Sequence, residues 1–302
     1  MPRNRSKVAP QYSVRPGRHP ERVRPSTSSG RTSRRIRIGI VGCGTIGGEL
    51  AGWIHTHLKN KARLGALYDL TPSQSNRLEK SLSLSSVSVA SLDELVAKSD
   101  LVVEAASVEA VPLVAKRVLR KGKDLLVMSV GGLARNQGLI ALAQEHGSRI
   151  YIPSGAIGGL DAVKGAALSK IDTAVLTTRK APEALADAPY WKVRQKEWQA
   201  ISEETVLFEG NVTEAIRLFP KNINVSAALQ LAAPDVDWKV KIVAVPGLRR
   251  NMHEIRVEGE SGKMVFQMEN LPAPGNPKTS YLAVLSAKAL LDQILSSVKI
   301  GS

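Results

Sequence analysis

The stretch Ile36-Arg-Ile-Gly-Ile-Val-Gly-Cys-Gly-Thr-Ile-Gly-Gly-Glu-Leu50 constrains this chain more than any other. Alternating Ile36, Ile38 and Ile40 read as a buried strand. Gly42, Gly44 and Gly47 then give G-x-G-x-x-G, running into a helix that begins near Thr45. In that setting each glycine has a mechanical role. Gly42 turns the chain tightly, Gly44 lets backbone approach a pyrophosphate, and Gly47 lets the helix pack close to the strand. The helix start, with Thr45 and Ile46, points free N–H groups and the positive dipole end at the phosphates. A second apolar strand, Leu64–Leu67, ends in Tyr68-Asp69, and Asp69 stands 22 residues past Gly47. A carboxylate there accepts from a ribose 2′-hydroxyl and repels a 2′-phosphate. NAD is therefore expected over NADP, with Arg77 close enough to leave NADP possible.

Composition narrows the class. A chain of 302 residues holds two domains. It lacks the run of about 18 apolar residues that a membrane span needs. The single cysteine, Cys43, excludes an internal disulfide framework and fits a reducing, cytoplasmic setting. It sits inside the glycine turn, where a bound pyrophosphate leaves no room for a catalytic thiol. The net charge of +15 suggests nucleic acid, but its distribution argues otherwise. Residues 1–35 hold ten Arg/Lys against Glu21, which leaves +6 for the rest. That basic tail, rich in Pro, Ser and Arg, is expected to be disordered and dispensable. Arg34-Arg35 is not an export signal, because the Ile-rich stretch that follows carries Arg37 and is itself the first strand.

From residue 36 to 153 strands and helices alternate. Candidate strands are Arg37–Val41, Leu64–Asp69, Ser86–Ala90, Leu101–Ala105, Asp124–Ser129 and Arg149–Ile152. This alternation predicts an α/β fold, a Rossmann-type doubly wound parallel sheet. Residues 154–279 have another texture and predict an α+β second domain for catalysis and dimerisation, with a mixed or antiparallel sheet. Its strands are expected at Thr173–Thr178, Val240–Val245, His253–Glu258 and Lys263–Met268. Its helices are expected at about Ala156–Lys170, Tyr190–Ile201, Thr213–Leu218 and Asn224–Ala232. Residues 280–302 read as a helix returning to the first domain.

Five separated segments stand in order: Ser107-Val-Glu-Ala-Val111, Lys121-Gly-Lys-Asp-Leu-Leu-Val-Met-Ser-Val-Gly-Gly-Leu133, Ser154-Gly-Ala-Ile-Gly-Gly-Leu-Asp161, Phe219-Pro-Lys-Asn-Ile-Asn-Val225 and Asn251-Met-His-Glu-Ile255. With the glycine turn, they make residues 36 to 298 resemble the L-aspartate dehydrogenase family. The resemblance implies NAD(P)-dependent oxidative deamination of L-aspartate to iminoaspartate, which hydrolyses to oxaloacetate and ammonia. In such enzymes the imine can feed NAD biosynthesis. The resemblance also implies His253 as the catalytic residue and cofactor contacts at Ala156 and Asn222; Ala106 and Ser107 are further candidate cofactor contacts. The stretch 182–203 departs from it, being longer and richer in Trp.

The chemistry of the residues agrees. Oxidising an amine at Cα needs the amine neutral, so a base must take its proton, and histidine titrates in the right range. Of the five histidines, His19 lies in the tail, His55 and His57 end the first helix, and His146 suits a helix cap. Only His253 opens a strand of the second domain. A dicarboxylate also needs cations, for which Lys221, Arg179 and Lys180 are candidates. No metal is required, and a homodimer is expected. A phosphorylating aldehyde dehydrogenase would need a second-domain cysteine, which is missing. A sugar oxidoreductase would show Glu-Lys-Pro, and a dihydrodipicolinate reductase paired second-domain histidines; both are missing. The alternatives are a reductase of another small dicarboxylate or imine, and a catalytically silent NAD-binding sensor.

Overall fold

A computed structural model describes residues 35–194, 197–220, 224–274 and 276–301. The basic tail up to Arg34, and with it the expected disorder, lies outside the described residues, as do Lys221 and Asn222. Residues 35–302 form one compact unit built on two five-stranded sheets.

The first sheet runs from β1 (Ile36–Val41) through β2 (Ala62–Tyr68), β3 (Leu101–Glu104) and β4 (Asp124–Val127) to β5 (Ile150–Tyr151), ordered β2-β1-β3-β4-β5 and parallel throughout. The expected strand at Ser86–Ala90 is reduced to a single parallel bridge, Ser88 to Leu67, at the outer edge of β2. Counting that bridge, the order is that of a dinucleotide-binding sheet, with the strand order reversing between β1 and β3 while every strand runs parallel.

Both faces of this sheet are covered. Helix α1 (Thr45–His57) buries Leu50, Ala51 and Ile54 on one face, beside Ile38, Ile40 and Val103. On the other, α3 (Leu92–Lys98), α4 (Val111–Leu119) and α6 (Gly138–Glu145) pack on Val102, Leu125 and Val127. Between α1 and α3, α2 (Pro72–Ser81) follows β2, and α5 (Val130–Ala134) precedes α6. Side chains of successive strand residues alternate in direction, so near-continuous apolar runs such as Leu101-Val-Val are what a two-sided sheet needs.

Beyond α7 (Leu160–Ala166) come β6 (Ile171–Lys180), α8 (Pro189–Arg194), β7 (Thr205–Asn211), α9 (Val212–Leu218), α10 (Asn224–Ala232), β8 (Trp238–Ala244), β9 (Asn251–Gly259) and β10 (Gly262–Asn270). The second sheet has the order β10-β9-β6-β8-β7. It is mixed: β6 and β8 are parallel and the other pairs antiparallel, because the chain reverses once into the edge strand β7 and again into β8, which returns beside β6. The long helix expected at Ala156–Lys170 shortens to α7, because Gly158 and a left-handed Gly159 hold a loop before it. Of the helix expected at about Tyr190–Ile201, the described residues form α8, ending at Arg194, and a single tight turn at Trp198–Ala200. Tyr190 and Trp191 enter the second core, where Tyr190 stacks on Phe219.

After the short pair β11 (Pro272–Ala273) and β12 (Asn276–Ser280), α11 (Tyr281–Leu295) returns to the first sheet. It buries Ala287 and Leu291 beside α1, and Lys288 pairs with Glu49 at 2.7 Å. Among the described residues no helix is long and apolar enough to cross a membrane.

Candidate active site

The glycine turn after β1 has the geometry its sequence demands. Gly42 has φ +91°, and a Cβ there would lie 2.6 Å from the Ala105 carbonyl oxygen. A Cβ on Gly47 would lie 1.8 Å from the Gly42 carbonyl oxygen. Around Gly44 nothing lies within 4 Å of a built Cβ. Gly44 caps α1 with no side-chain bond of its own. An open backbone before an uncapped helix N-terminus is a cradle that a Cβ would fill, and it fits a diphosphate. The residues present therefore fit a dinucleotide.

Asp69 lies just beyond the C-terminal end of β2. Its carboxylate accepts the Cys43 N–H at 2.7 Å and the Thr71 N–H at 2.8 Å. It thus pins the glycine turn to the end of β2, a tie that spacing alone does not reveal. Cys43 beside it is buried, and burial first and the Asp69 charge second push its thiol up to about 12. A thiol so raised is no nucleophile at neutral pH. The groove from Cys43 and Gly44 runs on to Gln74 and Arg77, and Arg77 is held by Gln74 at 2.6 Å.

On the reversal side, Ala106 and Ser107 follow β3. The Ala106 N–H donates to the Glu104 carboxylate at 2.9 Å, and the Ser107 hydroxyl accepts from Ala110 N–H at 3.3 Å. Ile46, from the first turn of α1, reaches a cavity of about 110 Å³ that it shares with Ala156, Lys180, Asn224 and His253. Met128, just past β4, and Val130, which opens α5, line the same walls. The helix that would hold the diphosphate thus also contributes to the cavity holding the histidine.

Inside that cavity the second sheet sets the chemistry. Thr178 and His253 are directly opposed across β6 and β9, and Lys180 is two residues on from Thr178, so the period of two puts all three on one face. Thr178, Lys180 and His253 are all buried. The Thr178 hydroxyl and His253 Nδ1 are 3.0 Å apart. Burial first, and the charge of Lys180 second, lower His253 to about 3. Burial lowers Lys180 to about 8. Asn270 Nδ2 donates to the Ala156 carbonyl at 2.9 Å and ties the loop before α7 to the end of β10.

Of the three proposed cations, Lys180 alone reaches this cavity among the described residues. Arg179 points the other way, towards Glu204 at 3.4 Å, because consecutive strand residues face opposite sides. Sequence reasoning missed Thr178, Asn224 and Glu104. Thr178 was accessible from the period of two along β6. Asn224 stands two residues past Asn222 and opens α10, where it accepts Gly131 N–H at 3.2 Å.

A two-faced parallel sheet with a diphosphate turn, joined to a second sheet that brings histidine and lysine into a shared cavity, defines a dinucleotide-dependent oxidoreductase fold. The chain matches the homoserine dehydrogenase NAD-binding domain family over residues 42–153 and the aspartate dehydrogenase C-terminal family over residues 161–294. It is 44% identical to an L-aspartate dehydrogenase of Methanosarcina barkeri and 43% identical to one of Methanosarcina mazei, in each case over 88% of this chain and all of the relative. The crystal structure of aspartate dehydrogenase from Thermotoga maritima shares the fold, with a TM-score of 0.64 at 24% identity, covering 88% of this chain and all of that one. The chain belongs to the L-aspartate dehydrogenase family.

Proposed function

We propose that this chain oxidises L-aspartate at Cα with NAD(P), giving iminoaspartate, which water converts to oxaloacetate and ammonia. The observation that carries the reading is the shared cavity, in which His253 and Lys180 meet Ile46 of the diphosphate-binding helix. Bound NAD(P) supplies the two-electron acceptor for the Cα hydrogen.

His253 acts as the base. With Nδ1–H donating to the Thr178 hydroxyl, Nε2 keeps its lone pair for the substrate ammonium proton. Its lowered pKa keeps the ring neutral before substrate arrives. Lys180 is mostly protonated at neutral pH and offers a buried cation to a substrate carboxylate. The two carboxylates of the incoming substrate stabilise positive charge on both groups, so binding itself raises the basicity of His253. The backbone of Ser154 to Ala156 and the side chain of Asn224 line the same walls and orient the rest of the substrate.

NAD is favoured over NADP by the charge of Asp69. The protein works as a cytoplasmic homodimer.

The test is absorbance of the reduced nicotinamide with L-aspartate, and in reverse with oxaloacetate plus ammonia. Turnover with L-aspartate is expected. Binding of NAD without turnover of any dicarboxylate or amino acid would replace this reading with a sensor.

A further inference from the structure

Glu104 ends β3 and is fully buried. A buried carboxylate is costly unless its oxygens are met by donors. Here Oε1 accepts Ala106 N–H and the Ser129 hydroxyl, each at 2.9 Å, and Oε2 accepts Ser129 N–H at 3.0 Å. The Ser107 N–H adds a further bond. Every partner is a donor, so the pocket is built for a carboxylate. Burial pushes its pKa up while these donors pull it back.

The donors belong to two different loops. Ala106 and Ser107 follow β3, and Ala105 of that loop backs directly onto the Gly42 turn. Ser129 follows β4, between Met128 and Val130, which line the His253 cavity. From there Gly131 N–H donates to Asn224 Oδ1, another wall of the same cavity. A short path of hydrogen bonds and one helix turn thus runs from the cofactor loop through Glu104 to the substrate wall.

We propose that Glu104 is a positioning residue, whose carboxylate holds the cofactor-facing loop after β3 in register with the wall of the histidine cavity through Ala106 and Ser129. The proposal rests on the dehydrogenase reading for its consequence. Reacting centres displaced by about 1 Å lose on the order of a hundredfold in rate. An apolar residue would fill the same space but would leave both loops free to separate.

Glu104→Gln keeps the shape and turns an amide NH2 against one of the donors. In the full chain, the dissociation constant for NAD is expected to rise about tenfold and kcat to fall, with the melting temperature falling only a few degrees. Glu104→Asp keeps the charge, shortens the reach, and should fall between wild type and Glu104→Gln. NAD affinity is read by titration without any turnover. A wild type that binds NAD but ignores aspartate therefore sinks the aspartate reading alone. Should Glu104→Gln not fold, Ser129→Ala removes one donor, and about a threefold loss of NAD affinity is expected. Unchanged NAD affinity and kcat in a folded variant, even with a lowered melting temperature, would assign Glu104 to the core and overturn the proposal.

Discussion

Thr178 and His253 face each other across β6 and β9, with the threonine hydroxyl 3.0 Å from Nδ1 and both residues buried. The bond fixes the ring plane and leaves Nε2 as the only ring nitrogen available to a substrate. His253→Ala is therefore expected to lower kcat about 10²–10⁴-fold, with NAD affinity and folding retained. Thr178→Val should cost about tenfold in kcat, with NAD affinity unchanged. Steady-state kinetics with L-aspartate decide the point. Near-normal turnover by His253→Ala would remove the histidine from the mechanism.

Lys180 makes a separate prediction through the same face. Lys180→Met removes a buried cation while filling its space. KM for aspartate is expected to rise about tenfold or more, whereas KM for NAD should hold. The same change removes the charge that lowers His253, so the acid limb of kcat/KM should move to higher pH. An unmoved KM for aspartate would show that another group receives the carboxylate.

The depressed pKa of His253 also predicts an acid weakness. The ring titrates near 6.5 when unfolded and at about 3 when folded. Between those values the unfolded chain binds a proton that the folded chain refuses. The stability is fully present above 6.5 and is lost as pH falls towards 3. From pH 7 to 5 the loss attributable to this residue is about 2 kcal/mol. Denaturant unfolding of wild type and His253→Asn at the two pH values measures it, and the variant should lose about 2 kcal/mol less. Lys180 adds nothing in that window, because it is protonated in both states there. Its own effect lies between about 8 and 10.5, where stability rises with pH. Equal losses in the two proteins would mean that His253 is not buried in its neutral form.

Asp69 predicts a coupled effect. Its two oxygens hold Cys43 N–H and Thr71 N–H, so the residue shapes the turn in addition to the ribose role proposed for it. Asp69→Ser should weaken NAD by about tenfold or more and narrow the gap between NAD and NADP. Binding titrations with both cofactors give the ratio. Equal binding of both by the wild type would remove the selectivity role and leave the loop role standing.

Features fixed by neighbours in the chain were legible in the sequence, and those fixed across it were less so. The glycine turn was readable because each glycine answers a local steric need. His253 stood out because the other histidines had places at helix ends or in the tail. The Glu104–Ser129 staple was hidden, since the two residues lie 25 positions apart and each looks ordinary at its strand end. Strand β7 escaped because its register shifts between Val206 and Phe208, which breaks the alternation. The parallel pairing of β6 with β8 was equally hidden, as it depends on β7 taking the sheet edge and β8 returning between it and β6. Arg179 and Lys180 looked interchangeable as neighbours, and only the direction of β6 separates the surface ion pair from the cavity.

The two remaining motif glycines separate fold from ligand. Gly47→Ala would drive a methyl group to 1.8 Å from the Gly42 carbonyl oxygen, so the backbone of the turn must move. A lower melting temperature and lost NAD binding are expected together. Gly44 has φ −75°, which alanine adopts freely, and open space around its missing side chain. Gly44→Ala should therefore melt like the wild type while a methyl group occupies the approach of the diphosphate. NAD affinity is expected to fall about tenfold or more. Thermal melts and NAD titration on the two variants give the contrast directly. If Gly44→Ala bound NAD as the wild type does, the diphosphate would have to sit away from this turn, and the placing of Ile46 and His253 around the cofactor would lose its anchor.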